Sequence, residues 1–198
     1  MAIRHQDIES RDARPLCRRA TAGRDSLRFS LYERRGSDVI VVKVITKDDD
    51  LEQVVDEINS ASWDDANEMS KYCAESLSNY LDHQGTLFVA CHEVGERGRT
   101  LLGMAAARLE VKPNGGKRWL YVDEVDVCAD QRRKGAGRSI MQKLINIAEE
   151  AECEEVWLGA EASNQGANAL YRSLEPDEVT QVVGYTYEVR DGSCPRAV

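Results

Sequence analysis

The chain has 198 residues, of which 42% are hydrophobic, and a formal net charge of -9 at pH 7. This length is sufficient for one domain with a full core. No run of about 18 apolar residues occurs, so the sequence predicts no membrane span. The N-terminus lacks the apolar core of a secretory signal. The six cysteines are scattered without a Cys-x-x-Cys pair, which favours reduced thiols in a cytoplasmic protein over a metal site.

Charge is distributed unevenly along the chain. Residues 1–36 hold nine Arg and five acidic residues, whereas residues 48–82 hold eleven acidic residues and one Lys. Residues 1–37 show no hydrophobic period, so we expect a mobile arm containing at most one short helix or strand. The preferred interpretation is an extension without a function, and binding to an acidic partner is the alternative. Residues 38–190 are expected to form the domain, and 191–198 a tail.

The first part of the domain is predicted as a strand followed by two helices. Residues 39–45 are β-branched and nearly all apolar, as in a well-buried strand. Acidic residues at 48–50 can cap a helix whose apolar residues share one face. A second helix is expected after Trp63, capped by Asp64 or Asp65 and ended by Gly85. The apolar stripe of this second helix comprises Met69, Tyr72, Cys73, Leu77 and Tyr80.

The rest of the domain alternates between strands and helices. Residues 86–91, 101–111 and 121–127 are predicted to be three strands of a hairpin meander, with a Pro-Asn-Gly-Gly turn before the last. A helix over about 135–151, a strand over 155–159 and a helix capped by Asn164 follow. The alternation of residues 179–189 predicts a final strand.

The most informative stretch runs from residue 121 to 139. Period-2 spacing predicts that Val122, Glu124 and Asp126 share one face of a strand. A glycine-containing loop then joins this strand to a helix N-terminus, where unpaired amides and the macrodipole favour anions. Gly135 and Gly137 permit close approach to the backbone, and three cations precede them. This arrangement predicts a diphosphate site; a solvated basic loop is the alternative.

The pattern Arg132-x-x-Gly135-x-Gly137 after an acidic strand resembles the acetyl-CoA signature of the GNAT superfamily of N-acetyltransferases. The second half of that signature follows as Asn164-x-x-Ala167-x-x-Leu170-Tyr171-x-x-Leu174. The resemblance covers about residues 38–190. It implies an α/β (α+β) fold with a central mixed, mostly antiparallel sheet flanked by helices. The short ending after Leu174 is most similar to that of the aminoglycoside 3-N-acetyltransferase subgroup.

The resemblance also implies the cofactor and the roles of site residues. Acetyl-CoA would bind through the backbone of Val125 and Val127, and through a larger set comprising Arg132, Arg133, Lys134, Gly135, Ala136, Gly137, Arg138, Ser139 and Asn164. Glu124 is the expected general base, with Glu161 as helper or substrate ligand and Asp126 as a further candidate. Solvated acids at strand ends are the alternative. Tyr171 would protonate the departing thiolate, although it also fits an apolar helix stripe.

Three functions are compatible with these features of the sequence. The first is acetylation of a small, polycationic amine, with aminoglycosides favoured because residues 48–82 are acidic. The second is acetylation of a protein N-terminus or Lys. The third is an acyl-CoA-binding or nucleic-acid-associated regulator without catalytic activity. We expect a small-molecule amine as partner and no membrane or nucleic acid, and a homodimer is left open.

Overall fold

The computed structural model of the protein describes residues 29–35 as backbone, and residues 38–64 and 71–187 in full. The predicted tail and residues 1–28 of the predicted arm lie outside these ranges. Within that arm, strand β1 (Phe29–Arg35) pairs antiparallel with β2 (Asp38–Ile45). The sequence pattern placed the start of the domain at residue 38, whereas the sheet begins upstream of that residue, with β1.

The sheet has six strands in the order in which they occur along the chain. After β2 come β3 (Thr86–Gly95), β4 (Gly98–Val111), β5 (Arg118–Val127) and β6 (Glu155–Leu158). All neighbouring strands are antiparallel except β5 and β6, which are parallel. The predicted meander and the predicted mixed, mostly antiparallel sheet are confirmed.

Helices cover both faces of this sheet. They are α1 (Leu51–Ser60), α2 (Ala74–Asp82), α3 (Ala136–Glu150) and α4 (Gln165–Arg172). The long helix α3 packs on one face through Ile140, Met141 and Leu144. Helices α1 and α2 pack on the opposite face, through side chains that include Ile58 and Leu77. Burying these two apolar stripes is what holds the layers together.

Helix α1 forms as predicted, but α2 begins later than the sequence pattern indicated. The carboxylate of Asp50 accepts a hydrogen bond from the Gln53 N–H at 3.0 Å and caps α1. Helix α2 begins at Ala74 with Cys73 as its N-cap. The side-chain amide of Asn59 forms hydrogen bonds with both the backbone N–H and the backbone carbonyl of Tyr72. These two groups are therefore not available for helical hydrogen bonds. The prediction that Tyr72 and Cys73 lie within the second helix was therefore wrong. The predicted caps, Asp64 or Asp65, precede or lie among residues 65–70, which include Met69 and are outside the described residues, so they stay a prediction.

The predicted final strand is not formed over residues 179–187. This segment has no regular secondary structure, and its large apolar side chains, such as Val183 and Tyr185, are exposed. Strand propensity reflects packing on a pleated surface rather than a backbone preference. Within the described residues this segment forms no ladder with β6, so the Val and Tyr pattern alone did not specify a strand. Residues 188 and 189 lie outside the description.

Helices of the described ranges are all too short or too polar to span a lipid bilayer.

Candidate active site

An irregularity in strand β5 organises the candidate site. Ala106 of β4 lies opposite Glu124, whereas the next residue, Ala107, lies opposite Val122. Asp123 is therefore an extra residue in β5, which makes a β-bulge and reverses the alternation of side chains beyond it. The prediction that Val122 shares a face with Glu124 was wrong for this reason.

Beyond the bulge, β5 presents acids on one face and valines on the other. Val125 and Val127 pack against the core cluster beneath α3. Glu124 and Asp126 lie opposite β4 residues that belong to the cluster beneath α1 and α2. The prediction that these two carboxylates share a face is confirmed, and both line the same cleft.

The end of β5 has an open backbone edge. The Cys128 N–H donates to the Leu102 carbonyl of β4 at 2.9 Å. Because antiparallel ladders alternate, the amides and carbonyls of Val125 and Val127 then point away from β4. Pairing of β5 with β6 ends at Val122, so this edge faces the cleft. An extended ligand can add there as a further strand would.

The loop after β5 leads into the N-terminus of α3. It contains one turn of 3-10 helix, Ala129–Gln131, and two left-handed residues, Arg133 with φ 64° and Gly135 with φ 96°. The Ser139 N–H donates to the Gly135 carbonyl at 2.9 Å. The three amides between these residues have no acceptor within the helix, and their residues line the cleft. Together with the macrodipole, these amides make an anion site.

Gly137 has a packing role that the sequence did not indicate. A Cβ at this position would lie 2.8 Å from Leu170 Cδ2 and 3.5 Å from Val127 Cγ2. The glycine therefore lets α4 approach α3 closely, and it also borders the cleft.

Three arginines surround this anion site. Arg132 donates to Asp64 Oδ2 at 2.7 Å, which links the loop to the segment after α1. Arg138 donates to the carbonyl and hydroxyl of Ser173 at 3.1 and 2.8 Å, at the end of α4. Together with Arg133, they line the cleft and make this side of it cationic.

Two residues that the sequence assigned to the cofactor do not line the cleft. The side chain of Lys134 is directed toward strand β3, where its ammonium donates a hydrogen bond to Glu93 Oε2 at 2.7 Å. Ser139 is only 3% exposed, within the interior beneath α3. The position of these two side chains outside the cleft therefore does not support the predicted contribution of either to cofactor binding.

The N-terminus of α4 completes the opposite rim. Asn164 Oδ1 accepts from the Ala167 N–H at 3.0 Å and caps the helix, as its sequence position predicts. Glu161 accepts from the Ser163 hydroxyl at 3.3 Å and is exposed. Tyr171 is half-buried on the inner face of α4; burial, and then the Asp126 carboxylate, raise the pKa of its hydroxyl.

Glu124 is half-buried in the same cleft. Burial is the largest cause of its raised pKa, and the neighbouring Asp126 and Asp123 raise it further. A hydrogen bond from the Tyr72 hydroxyl to Glu124 Oε1, at 3.0 Å, acts in the opposite direction and lowers the pKa. The pKa of Tyr72 is raised in turn by burial and by the charge of Glu124. A carboxylate with a raised pKa beside a protonated hydroxyl is a usual setting for a general base.

These elements enclose a cleft of roughly 1430 Å³. It brings together every site residue that the sequence predicted, apart from Lys134 and Ser139. No group of three or more His, Cys, Asp or Glu side chains is arranged to hold a metal ion in the described part of the chain. The cleft therefore combines an anion site, an open strand edge and one half-buried carboxylate next to a tyrosine.

Sequence reasoning missed Tyr72 as a site residue. Its position was assigned to the apolar stripe of a helix, whereas it lies in the segment before α2 and reaches Glu124 across 52 positions of sequence. Lys71, Ser76 and Trp63 also line the cleft. No local motif marks these residues, because tertiary packing alone brings this segment to β5.

Few of the acidic residues in 48–82 face the cleft. Several described acids bind cations elsewhere: Asp49 pairs with Lys43, Glu57 with Arg99 and Asp82 with Lys47. Within the described ranges, Asp64 is the member of this group that lines the cleft. Asp65 and Glu68 lie outside the description. Most of the charge counted from sequence is thus directed away from the site.

A family model described as "Acetyltransferase (GNAT) family" matches residues 49–175. The chain belongs to the acetyltransferase (GNAT) family. The match spans the anion site, the bulged strand and the capped helix α4, so the GNAT assignment and the cleft geometry agree. Enzymes of the family use acetyl-CoA.

Two curated N-acetyltransferases are similar to parts of this chain, and the name of one of them states its substrate. A [ribosomal protein bS18]-alanine N-acetyltransferase of Escherichia coli K12 is 38% identical over 68 residues, covering 34% of this chain and 45% of its own. N-acetyltransferase 8B of Mus musculus is 25% identical over 106 residues, covering 54% and 44%. The chain thus spans less than half the length of these curated relatives.

The solved structures show the same fold. An aminoglycoside acetyltransferase from an uncultured soil metagenomic sample, in complex with sisomicin, has a TM-score of 0.64 and 19% identity over 76% of this chain and 97% of its own. The ribosomal-protein-alanine N-acetyltransferase of Brucella melitensis biovar Abortus 2308 has a TM-score of 0.54 and 18% identity, covering 77% and 99%.

Proposed function

We propose that this protein is an acetyl-CoA-dependent N-acetyltransferase that transfers the acetyl group directly to a primary amine. The observation that carries the proposal is the position of Glu124. This half-buried carboxylate lies in the cleft beside the open edge of β5 and the N-terminus of α3. One cleft therefore holds a base and a surface suited to an acyl-CoA.

The residues present fit acetyl-CoA. The amides that begin α3, the left-handed Gly135 and the guanidinium groups of Arg132, Arg133 and Arg138 match a diphosphate. The open amides and carbonyls of Val125 and Val127 match the amide-containing pantetheine arm. When bound, acetyl-CoA supplies an acetyl group activated as a thioester.

Glu124 acts on the acceptor amine. An alkyl ammonium has a pKa of about 10.4, so the amine arrives protonated and unreactive. Glu124 takes this proton directly or through one water. Its raised pKa strengthens it as a base. Asp126 and Glu161 remain the next candidates for this role.

Tyr171 holds a proton on the opposite side of the cleft. Because its pKa is raised by burial and by Asp126, the hydroxyl stays protonated at neutral pH and can act as a hydrogen-bond donor. We propose that it protonates the leaving sulfur. Its packing against the core cluster also fixes the position of the hydroxyl.

For the acceptor we propose a small, polycationic amine, with an aminoglycoside favoured. On the side of β5 that faces α1 and α2, the cleft carries Glu124 and Asp126 beside one ammonium, Lys71, while Asp64 is paired with Arg132. Carboxylates in a cleft attract polycations and raise their local concentration. The likeness to solved aminoglycoside acetyltransferases agrees with this substrate class and with the subgroup resemblance of the short ending.

The second candidate acceptor is the N-terminal amine of a protein. The relative that acetylates a ribosomal-protein alanine, 38% identical over 68 residues, favours it. An extended peptide N-terminus also presents one ammonium that Glu124 can deprotonate. The chemistry at Glu124 is the same for both acceptors.

Thiol release from acetyl-CoA, measured over a panel of aminoglycosides, linear polyamines and peptides with a free N-terminal Ala, distinguishes these acceptors. We expect the highest kcat/KM with an aminoglycoside and a steep fall as ionic strength rises from about 0.01 to 0.15 M. A peptide as the best substrate supports the second candidate. Release that no amine accelerates contradicts the catalytic proposal and leaves an acyl-CoA-binding protein.

A further inference from the structure

We propose, on the basis of the function above, that Tyr72 is the positioning residue of the base, and that Asn59 holds Tyr72 in place. In this arrangement the Tyr72 hydroxyl orients the Glu124 carboxylate and stabilises its ionised form. The acid–base machinery thus extends from β5 through the segment before α2 to helix α1.

The first step rests on the contact between the two side chains. The Tyr72 hydroxyl donates to Glu124 Oε1 at 3.0 Å. The tyrosine ring packs at a tilt against Phe88, with centroids 6.1 Å apart, which fixes the direction from which the hydroxyl approaches. With Oε1 engaged in this way, Oε2 is the oxygen we assign to the acceptor proton.

The second step concerns what holds Tyr72, which lies outside any helix. Asn59 Nδ2 donates to the Tyr72 carbonyl at 2.9 Å, and the Tyr72 N–H donates to Asn59 Oδ1 at 3.0 Å. Asn59 is in the last turn of α1, next to the buried Ile58. A single side chain thus attaches the backbone of Tyr72 to a helix that is anchored in the core.

The third step is the balance of charges around Glu124. From its own strand, Asp123 and Asp126 face it, and both disfavour its ionised form. From α2, Tyr80 faces it, but the Tyr80 hydroxyl donates to the Ala107 and Leu87 carbonyls at 3.0 and 3.3 Å instead. Because Tyr72 donates to the carboxylate, it favours the charged form and opposes the two aspartates.

These contacts predict the direction in which the pKa of Glu124 changes when the Tyr72 hydroxyl is removed. Removing the Tyr72 hydroxyl withdraws a donor from ionised Glu124, so the pKa of Glu124 rises. The base is then protonated up to a higher pH, and activity on the acidic side is lost. Above the new pKa the base is ionised again, so activity recovers there. General damage to the fold would instead lower the rate at every pH.

The test is a titration of Glu124 by carbon NMR of the side-chain carboxyl, assigned with Glu124→Gln, in wild type and in Tyr72→Phe. We expect the pKa in Tyr72→Phe to be higher by about one unit, with a matching upward shift of the acidic limb of kcat. Tyr80→Phe, the matched loss of a hydroxyl from the same wall, should leave the Glu124 pKa unchanged. An unchanged pKa in Tyr72→Phe overturns the positioning role, whatever the enzyme acetylates.

Asn59→Ala tests the second half of the proposal. It should raise the Glu124 pKa in the same direction by a smaller amount, whereas Asn79→Ala, at an exposed position on α2, should not. A pKa that Asn59→Ala leaves unaltered overturns the holding role. Because NMR measures the carboxyl itself, these results are independent of turnover. Wild-type turnover in Glu124→Gln would contradict the proposed base instead.

Discussion

Glu124→Gln removes the proposed base with little change of shape. The glutamine amide keeps an oxygen that can accept from the Tyr72 hydroxyl, so the 3.0 Å contact and the packing around it have a reason to persist. An amide does not accept a proton at neutral pH. The variant therefore separates the acid–base role of this position from its structural role.

The expected loss follows from the protonation state of the acceptor. Positioned general bases contribute about 10²–10⁴-fold, so kcat should fall by that factor, or about 2.7–5.5 kcal/mol of barrier. Acetyl-CoA affinity should change by less than about threefold, because the cofactor side of the cleft is formed by other residues: Arg132, Arg133, Arg138 and the backbone of Val125 and Val127.

Thiol release at saturating acetyl-CoA, from about pH 5 to pH 9, measures kcat, and calorimetry measures acetyl-CoA affinity. The wild-type rate should rise with pH through the raised pKa of Glu124, and this acidic limb should vanish in Glu124→Gln. Wild-type turnover in Glu124→Gln across the whole range would exclude Glu124 as the base and transfer the role to Asp126 or Glu161.

The other predictions concern the two sides of the cleft and strand β4. Asp126→Asn removes a negative charge that raises the pKa of Glu124, so the acidic limb of kcat should move to lower pH; a move upward would contradict the electrostatic account. Arg133→Ala should weaken acetyl-CoA binding about tenfold by calorimetry, whereas Lys134→Ala should change it less than about twofold; equal losses would contradict the cleft geometry. Gly103→Ala should lower the free energy of unfolding in urea by about 1–3 kcal/mol, since its Cβ would clash with the Asp126 carbonyl oxygen; unchanged stability would contradict that contact.

Local signals in the sequence predicted much of the fold and the cofactor side of the candidate site. The glycines and arginines of residues 132–137 lie between a strand and a helix, and Asn164 is a helix cap, so local chemistry determined both. The three-stranded meander also follows from alternation and turn residues.

Features that depend on contacts distant in sequence were not predictable. The bulge at Asp123 arises from the register between β4 and β5, which period-2 spacing does not encode. Lys134 was grouped with its basic neighbours, but Glu93 of β3 binds it. Tyr72 was predicted to lie on the apolar stripe of a helix, because nothing local indicated that Asn59 would form hydrogen bonds with its backbone N–H and carbonyl.

We propose above that this cleft transfers acetyl groups to amines. Incubation of the purified protein with acetyl-CoA and the amine panel, followed by mass spectrometry, detects that transfer itself. We expect one acceptor to gain an acetyl group in step with CoA release, and this product to be lost in Glu124→Gln. Acetyl-CoA binding by calorimetry without an acetylated product from any amine would contradict it.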